Sequence, residues 1–361
     1  MVNLNNERLV KIKPGRTLSG VAPVAVMTKP GKCRHGKCII CPGGLNSVFG
    51  NTPQSYTGNE PASMRGKRNK YDPYLQIFNR LEQYTLLGHN IEKIELIVMG
   101  GSFLDFNKKY REEFITYCFK ALNDFGELFF KKKFDFKKFK KFFELPCENI
   151  GELKRIKRLQ KRILKIKGKS SLEKEQRRNE KNRLRAVALC VESRPDIIID
   201  DGRELLRLGV TRVEIGIQSL YNSVLDKINR GHKVSDSIKC LKMLRDLGFK
   251  ISVHYMIGLP GSSKKMDLDG FKRLFSDSDF KPDMLKIYPC IVMKGTKLEE
   301  EYLNKKYKPM SNKDAAELIA EMKRIIPEDC RVQRIQRDIT KGSIGGVDKS
   351  NLRQDVKKIM K

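Results

Sequence analysis

Seven short apolar runs punctuate the chain, at 21–27, 91–99, 186–191, 213–217, 251–257, 284–288 and, more weakly, 331–335. Each is short and ends in Gly, Pro or a polar cluster, the signature of buried strands. Between them lie helical patterns. The stretch 201–208 sets Leu205, Leu206 and Leu208 near one face, and 235–247 repeats apolar residues at Ile238, Leu241, Met243, Leu244 and Leu247 before Gly248 stops it. A further helix is expected over 74–87. Strands alternating with helices predict a parallel sheet with right-handed crossovers, and about six such repeats suit an open or closed α/β barrel. The turn residues fall at the strand C-termini, which form the active-site face of a barrel.

One segment breaks this rhythm, at about 126–185. From 131 to 185 there are 22 Lys and Arg against 7 Asp and Glu, about half of the net charge of +31 carried by the 361-residue chain. Ile156, Leu159, Ile163, Leu164 and Ile166 keep helical spacing, so the segment reads as an inserted basic helical arm or as an ordinary solvated helix. A charge balance this extreme speaks to partners and points to a polyanion, of which nucleic acid is the commonest. No apolar stretch is long enough to span a bilayer, and the basic N-terminal segment 1–16 has no signal-like core.

The chemistry is concentrated in 31–44, where Cys33, Cys38 and Cys41 are separated by four and then two residues. Three thiolates on one loop suit three irons of a four-iron cluster, leaving the fourth iron open to bind a small molecule. Closure of a zinc site with His35 is the alternative, although His35 lies close behind Cys33 for two ligands of one ion. Unliganded thiols are a third reading. Nine cysteines, an odd number, argue against a disulfide framework and for a reducing, cytoplasmic setting.

Further polar groups sit past the predicted strands. The run 54–74 interleaves Arg65, Lys67, Arg68 and Lys70 with Tyr56, Tyr71 and Tyr74, which suits phosphate clamping and base stacking or a plain surface loop. Gly100 and Gly101 allow a ligand close to the backbone. Glu192 and Arg194 could hold ribose hydroxyls and a carboxylate, or form a rim salt bridge.

Taken with their order, several motifs resemble the radical S-adenosylmethionine (SAM) enzymes, and within them the catalytic subunit of Elongator. The carriers are Cys33…Cys38…Cys41-Pro-Gly-Gly44, Gln54-Ser-Tyr-Thr-Gly58, Glu60-Pro61, Ser63-Met-Arg65, Tyr71-Asp-Pro-Tyr74, Met99-Gly-Gly101, Glu192-Ser-Arg-Pro195, 212–219, Leu285-Lys-Ile-Tyr-Pro289 and Arg334-Ile-Gln-Arg-Asp338. The resemblance covers about 17–360, apart from the insertion. It implies a partial (β/α)6 barrel, a four-iron four-sulfur cluster on the three cysteines, SAM, and a tRNA wobble uridine as target. Acetyl-CoA is implied as the carbon donor for a carboxymethyl-type modification. Residue by residue, Gly100 and Gly101 would border the SAM amino group. Glu192 and Arg194 would face its ribose and carboxylate, and Gln218 and the Gly258 turn its adenosyl part. Arg65, Lys67 and Arg68 would hold tRNA, as would Lys154, Arg155, Lys157 and Arg158 of the insertion.

Three departures stand out. The first cysteine pair is spaced by four residues, where radical SAM enzymes mostly have three and Elongator subunits a longer gap, and Cys290 stands where a hydroxyl residue is expected. The family usually continues into a zinc linker and an acetyltransferase domain, which is not in this sequence. The expectation is therefore a shortened form or one that works with a separate acetyltransferase partner. The rival readings are a non-catalytic zinc-stabilised tRNA-binding protein and another radical SAM RNA-modifying enzyme. The latter would need a second cysteine triad, and Cys118, Cys147, Cys190, Cys240, Cys290 and Cys330 lie far apart.

Overall fold

The computed structural model describes residues 12–340, 342–348 and 350–361. All seven apolar runs are strands: β1 (Ala22–Met27), β2 (Lys93–Met99), β3 (Arg185–Ser193), β4 (Arg212–Gln218), β5 (Lys250–Ile257), β6 (Met284–Pro289) and β7 (Arg331–Ile335). They form one seven-stranded sheet in chain order. The pairs β1–β2, β4–β5, β5–β6 and β6–β7 are parallel. The weakest run thus adds a seventh parallel strand to the six expected. Contacts divide the chain into two compact units. The first holds residues up to 28, 65–99 and 107–190; the second holds 29–64, 100–106 and 191 onward.

The polar run 54–74, which suits phosphate clamping or a plain surface loop, contains α1 (Pro61–Arg68), and α2 (Pro73–Leu86) follows in the first unit. Asp72 caps α2 by accepting from the Leu75 N–H, and Pro73 opens it, the arrangement that satisfies a helix start. After β2 come α3 (Lys108–Phe129), α4 (Phe136–Phe142), α5 (Leu153–Lys167) and α6 (Leu172–Glu180). The insertion therefore brings its own apolar centre. Phe125, Phe129, Phe139 and Phe143 are fully buried, with ring centroids 4.7–6.3 Å apart.

This packing corrects the assignment of Arg155 to RNA. Arg155 is only 2% exposed. Its guanidinium bonds Glu82 on α2 at 2.6 Å and also the Phe143 and Ile150 carbonyls. Arg65 donates to the Ala25 carbonyl of β1 at 2.7 Å, and burial lowers its pKa to about 10. Both guanidiniums bond elements of their own unit; burial keeps Arg155 from a phosphate, whereas Arg65 is only half-buried. Lys67, Arg68, Lys154, Lys157 and Arg158 are exposed, Arg158 in an ion pair with Glu144.

In the second unit, α7 (Pro195–Arg207) begins six residues before the predicted helix because Pro195 supplies a preset first turn. Then come α8 (Asn222–Lys227), α9 (Val234–Asp246) and α10 (Lys264–Ser276) between the strands. Leu205, Leu241 and Leu244 are fully buried, as their spacing requires. An apolar cluster gathers Ile39 of the cysteine loop with Val224, Ile228, Leu259, Cys290, Val292 and Leu298. No helix among the described residues is long and apolar enough to cross a membrane.

Candidate functional site

The cysteine loop is fixed by short local turns. The Gly36 N–H donates to the Cys33 carbonyl and the Cys41 N–H to the Cys38 carbonyl, each at 3.0 Å. Cys38 and Cys41 are buried and Cys33 is half-buried. Burial first, then Asp105 and the neighbouring thiols, pushes Cys33 up to about 12; burial likewise raises Cys41. Thiols held neutral in this way release protons when a metal takes them. Polar groups surround the sulfurs. The Ser55 N–H donates to Cys41 Sγ at 3.3 Å, Gln54 Oε1 lies 3.3 Å from the same sulfur, His35 Nε2 is 3.2 Å from Cys38 Sγ, and Arg230 Nη1 reaches Cys38 Sγ at 3.6 Å.

Several of the expected cofactor residues meet here through intermediaries. Gly101 has φ +94°, and a Cβ there would stand 2.7 Å from Gln54 Cβ, so only glycine brings this backbone against the residue that touches Cys41. Arg194 binds Asp196 and donates to the Gly231 carbonyl at 3.2 Å, leaving its Nη1 buried without a partner. Gln218 holds a positive φ of 66°, and its buried Oε1 has no partner. Buried polar atoms are normally satisfied, and these two are among several described side-chain atoms left without a partner. Gly258 stands apart in contacts: it bonds Asp267 and Tyr307.

A second cluster was not anticipated. Glu214 of β4 receives His254 Nε2 of β5 at 3.2 Å, Arg212 at 3.3 Å and the Lys286 ammonium of β6. Tyr56 Oη donates to Glu192 at 3.3 Å. Glu192, Glu214 and His254 bring ligand-type atoms within 4.8 Å of one another. Burial raises the Glu192 pKa to about 7, with Lys286 opposing and Glu214 assisting. The ammonium of Lys286 and the His254 ring hold Glu214 far below the usual carboxylate range, against its burial. The signal was present in the sequence: Glu214, His254 and Lys286 are charged or polar residues inside otherwise apolar strands.

Residues 116–269 match the Radical SAM superfamily, and 282–361 match the Radical_SAM C-terminal domain. The chain belongs to the radical SAM superfamily. It is 45% identical over 354 residues to the tRNA uridine(34) acetyltransferase of Methanocaldococcus infernus, covering 98% of this chain and 58% of that protein. It is 37% identical to Elongator complex protein 3 of Saccharomyces cerevisiae, covering 96% and 56%. The solved archaeal Methanocaldococcus infernus Elp3 with an N-terminal deletion matches with a TM-score of 0.71 and 37% identity, over 94% of this chain and 62% of that one. The chain thus spans just over half the length of the curated relatives it matches. The α/β class with its parallel sheet agrees with that family.

Radical SAM membership implies a four-iron four-sulfur cluster and SAM. The donor set fits the cluster: three thiols on one loop, each within reach of a hydrogen-bond donor or a charge.

Proposed function

We propose that this chain carries the radical SAM part of a tRNA-modifying enzyme that acts at the wobble uridine, with acetyl-CoA as carbon donor for a carboxymethyl-type product. The observation that carries the reading is the cysteine loop, in a chain matched over 98% of its length by a tRNA uridine(34) acetyltransferase.

In this reading Cys33, Cys38 and Cys41 hold the cluster. When bound, the cluster and SAM supply a hydrogen-abstracting carbon radical. The protein's contribution is placement and protection. The Ser55 N–H and the Arg230 guanidinium donate to cysteine sulfurs. Gly100 and Gly101 border the amino group of SAM, Gly101 with its backbone against Gln54, and Arg194 Nη1 and Gln218 Oε1 offer a donor and an acceptor to the polar groups of SAM. The apolar cluster beneath Ile39 keeps water from the loop's inner side. Glu192, half-protonated near neutral pH, either accepts from a ribose hydroxyl or holds a proton beside Tyr56. Lys67, Arg68, Lys154, Lys157 and Arg158 supply cationic surface for RNA phosphates. Acetyl-CoA enters this reading through the relatives' name, and a separate acetyltransferase is a partner consistent with it.

The test is anaerobic reconstitution with iron and sulfide, followed by dithionite-driven turnover of SAM. About four irons per chain, 5′-deoxyadenosine release, and its loss in Cys38→Ala support the reading. Zinc retention with no SAM cleavage in the wild-type protein overturns it.

A further inference from the structure

We propose that the turn 228–231 clamps the cysteine loop and that Arg230 within it raises the reduction potential of the bound cluster. This inference rests on the radical SAM reading above and adds a positioning residue to it.

Four consecutive residues each hold a different point of the loop. The Ile228 carbonyl accepts from the Ile39 N–H at 3.1 Å. Asn229 Nδ2 donates to the Lys37 carbonyl at 3.0 Å. Arg230 Nη1 lies 3.6 Å from Cys38 Sγ. Gly231, with φ +75°, packs so closely under His35 that an added Cβ would stand 2.5 Å from His35 Cβ. The longer gap between Cys33 and Cys38 contains both His35 and Lys37, so the turn braces the part of the loop that departs from the usual spacing.

Arg230 is itself fixed. Its backbone N–H donates to the Leu225 carbonyl at 2.9 Å, and its Nη2 donates to the Gly216 carbonyl at 2.7 Å. A guanidinium stays protonated at all working pH values. Reduction adds one negative charge to a cluster, so a nearby fixed cation favours the reduced form. Cys38 is 7% exposed and Cys41 8%, so water screens this effect weakly.

The experiment is a redox titration of the anaerobically reconstituted chain, with dithionite supplying the one electron each cluster takes up and electron paramagnetic resonance reporting the reduced form. Arg230→Gln is expected to keep its iron and to lose about tenfold in electron affinity, a fall of about 59 mV for a one-electron couple. Arg230→Lys, which keeps the charge, should stay nearer the wild-type value. Equal midpoints for Arg230→Gln and wild type overturn the inference while leaving the cluster reading intact. Iron loss in Arg230→Gln but not in Arg230→Lys overturns the tuning role as well, because the charge would then serve cluster retention and not the potential. Iron loss in both overturns the tuning role, because Arg230 would then be a structural anchor. Absence of a cluster from the wild-type chain overturns the cluster reading and this inference together.

Discussion

At the scale of single residues, burial decides what the charged groups of the second unit do. Glu192 has a raised pKa in the folded chain, about 7, chiefly because desolvation penalises its charged form. Its ordinary value is near 4.3. The unfolded chain therefore gives up this proton first, and between about pH 4.5 and 7 the folded state holds the extra proton. The carboxyl's cost to stability is absent below that window, grows as pH rises through it, and is complete above about pH 7. Glu192→Gln removes the cost. The substituted chain should match wild type near pH 4.5 and exceed it at pH 8 by on the order of 2 kcal/mol, read from melting curves at several pH values. A gain independent of pH would place the effect in packing. Gly231 makes the opposite point, that a missing side chain can be a requirement. Gly231→Ala must strain a positive φ and push on His35, so it should reduce cluster retention on reconstitution while Gly248→Ala, which meets nothing within 4 Å, leaves it unchanged. Equal iron content in the two variants would count against the clamp.

At the scale of elements, the sequence was most legible where the period was strong and least where one residue type serves two purposes. The seven apolar runs became seven strands because each is short, apolar and bounded by turn residues. The periodicity of α5 was also readable, and Leu159 and Ile163 are its buried positions. Its basic residues were not separable by type: Arg155 looks like Arg158 in sequence, yet one is buried against Glu82 and the other is exposed. Position on the helix tells them apart, since Arg155 lies four residues before Leu159 and eight before Ile163, on the same face. The cysteine loop was legible from spacing, whereas Arg230 lies some 190 residues away and only the fold brings it to Cys38. The Arg155–Glu82 pair supplies a measurable consequence. Arg155→Met leaves Glu82 buried and unpaired and should cost about 3–5 kcal/mol in urea unfolding. Adding Glu82→Leu should restore most of this, because two apolar groups leave no charge uncompensated. No recovery in the double variant would show that the bonds to the Phe143 and Ile150 carbonyls, not the ion pair, fasten α5 to α2.

At the scale of the whole molecule, the net charge of +31 has a physical correlate in the exposed faces of the first unit. Lys154, Lys157, Lys161 and Lys165 are all exposed on α5, while Leu159 and Ile163 are buried. Cations so arranged gain little from folding and would self-repel, which favours a polyanion as their counterpart. Each phosphate neutralised releases condensed counterions, so affinity for RNA falls with salt by about 0.7–0.9 in log–log slope per contact. Replacing these four lysines by Gln should weaken binding of a wobble-uridine tRNA at low salt and flatten the salt dependence by roughly 3 units of slope. Stability should move by less than about 0.5 kcal/mol, because surface substitutions remote from caps and cores rarely do more. Arg155 must stay unchanged in this variant, since its loss would confound weaker binding with a loosened helix. A weakened affinity with an unaltered slope would mean that the helix contributes shape and not charge. An unaltered affinity and slope would remove α5 from the RNA surface, leaving Lys67 and Arg68 at the end of α1 as the remaining cationic candidates of that unit.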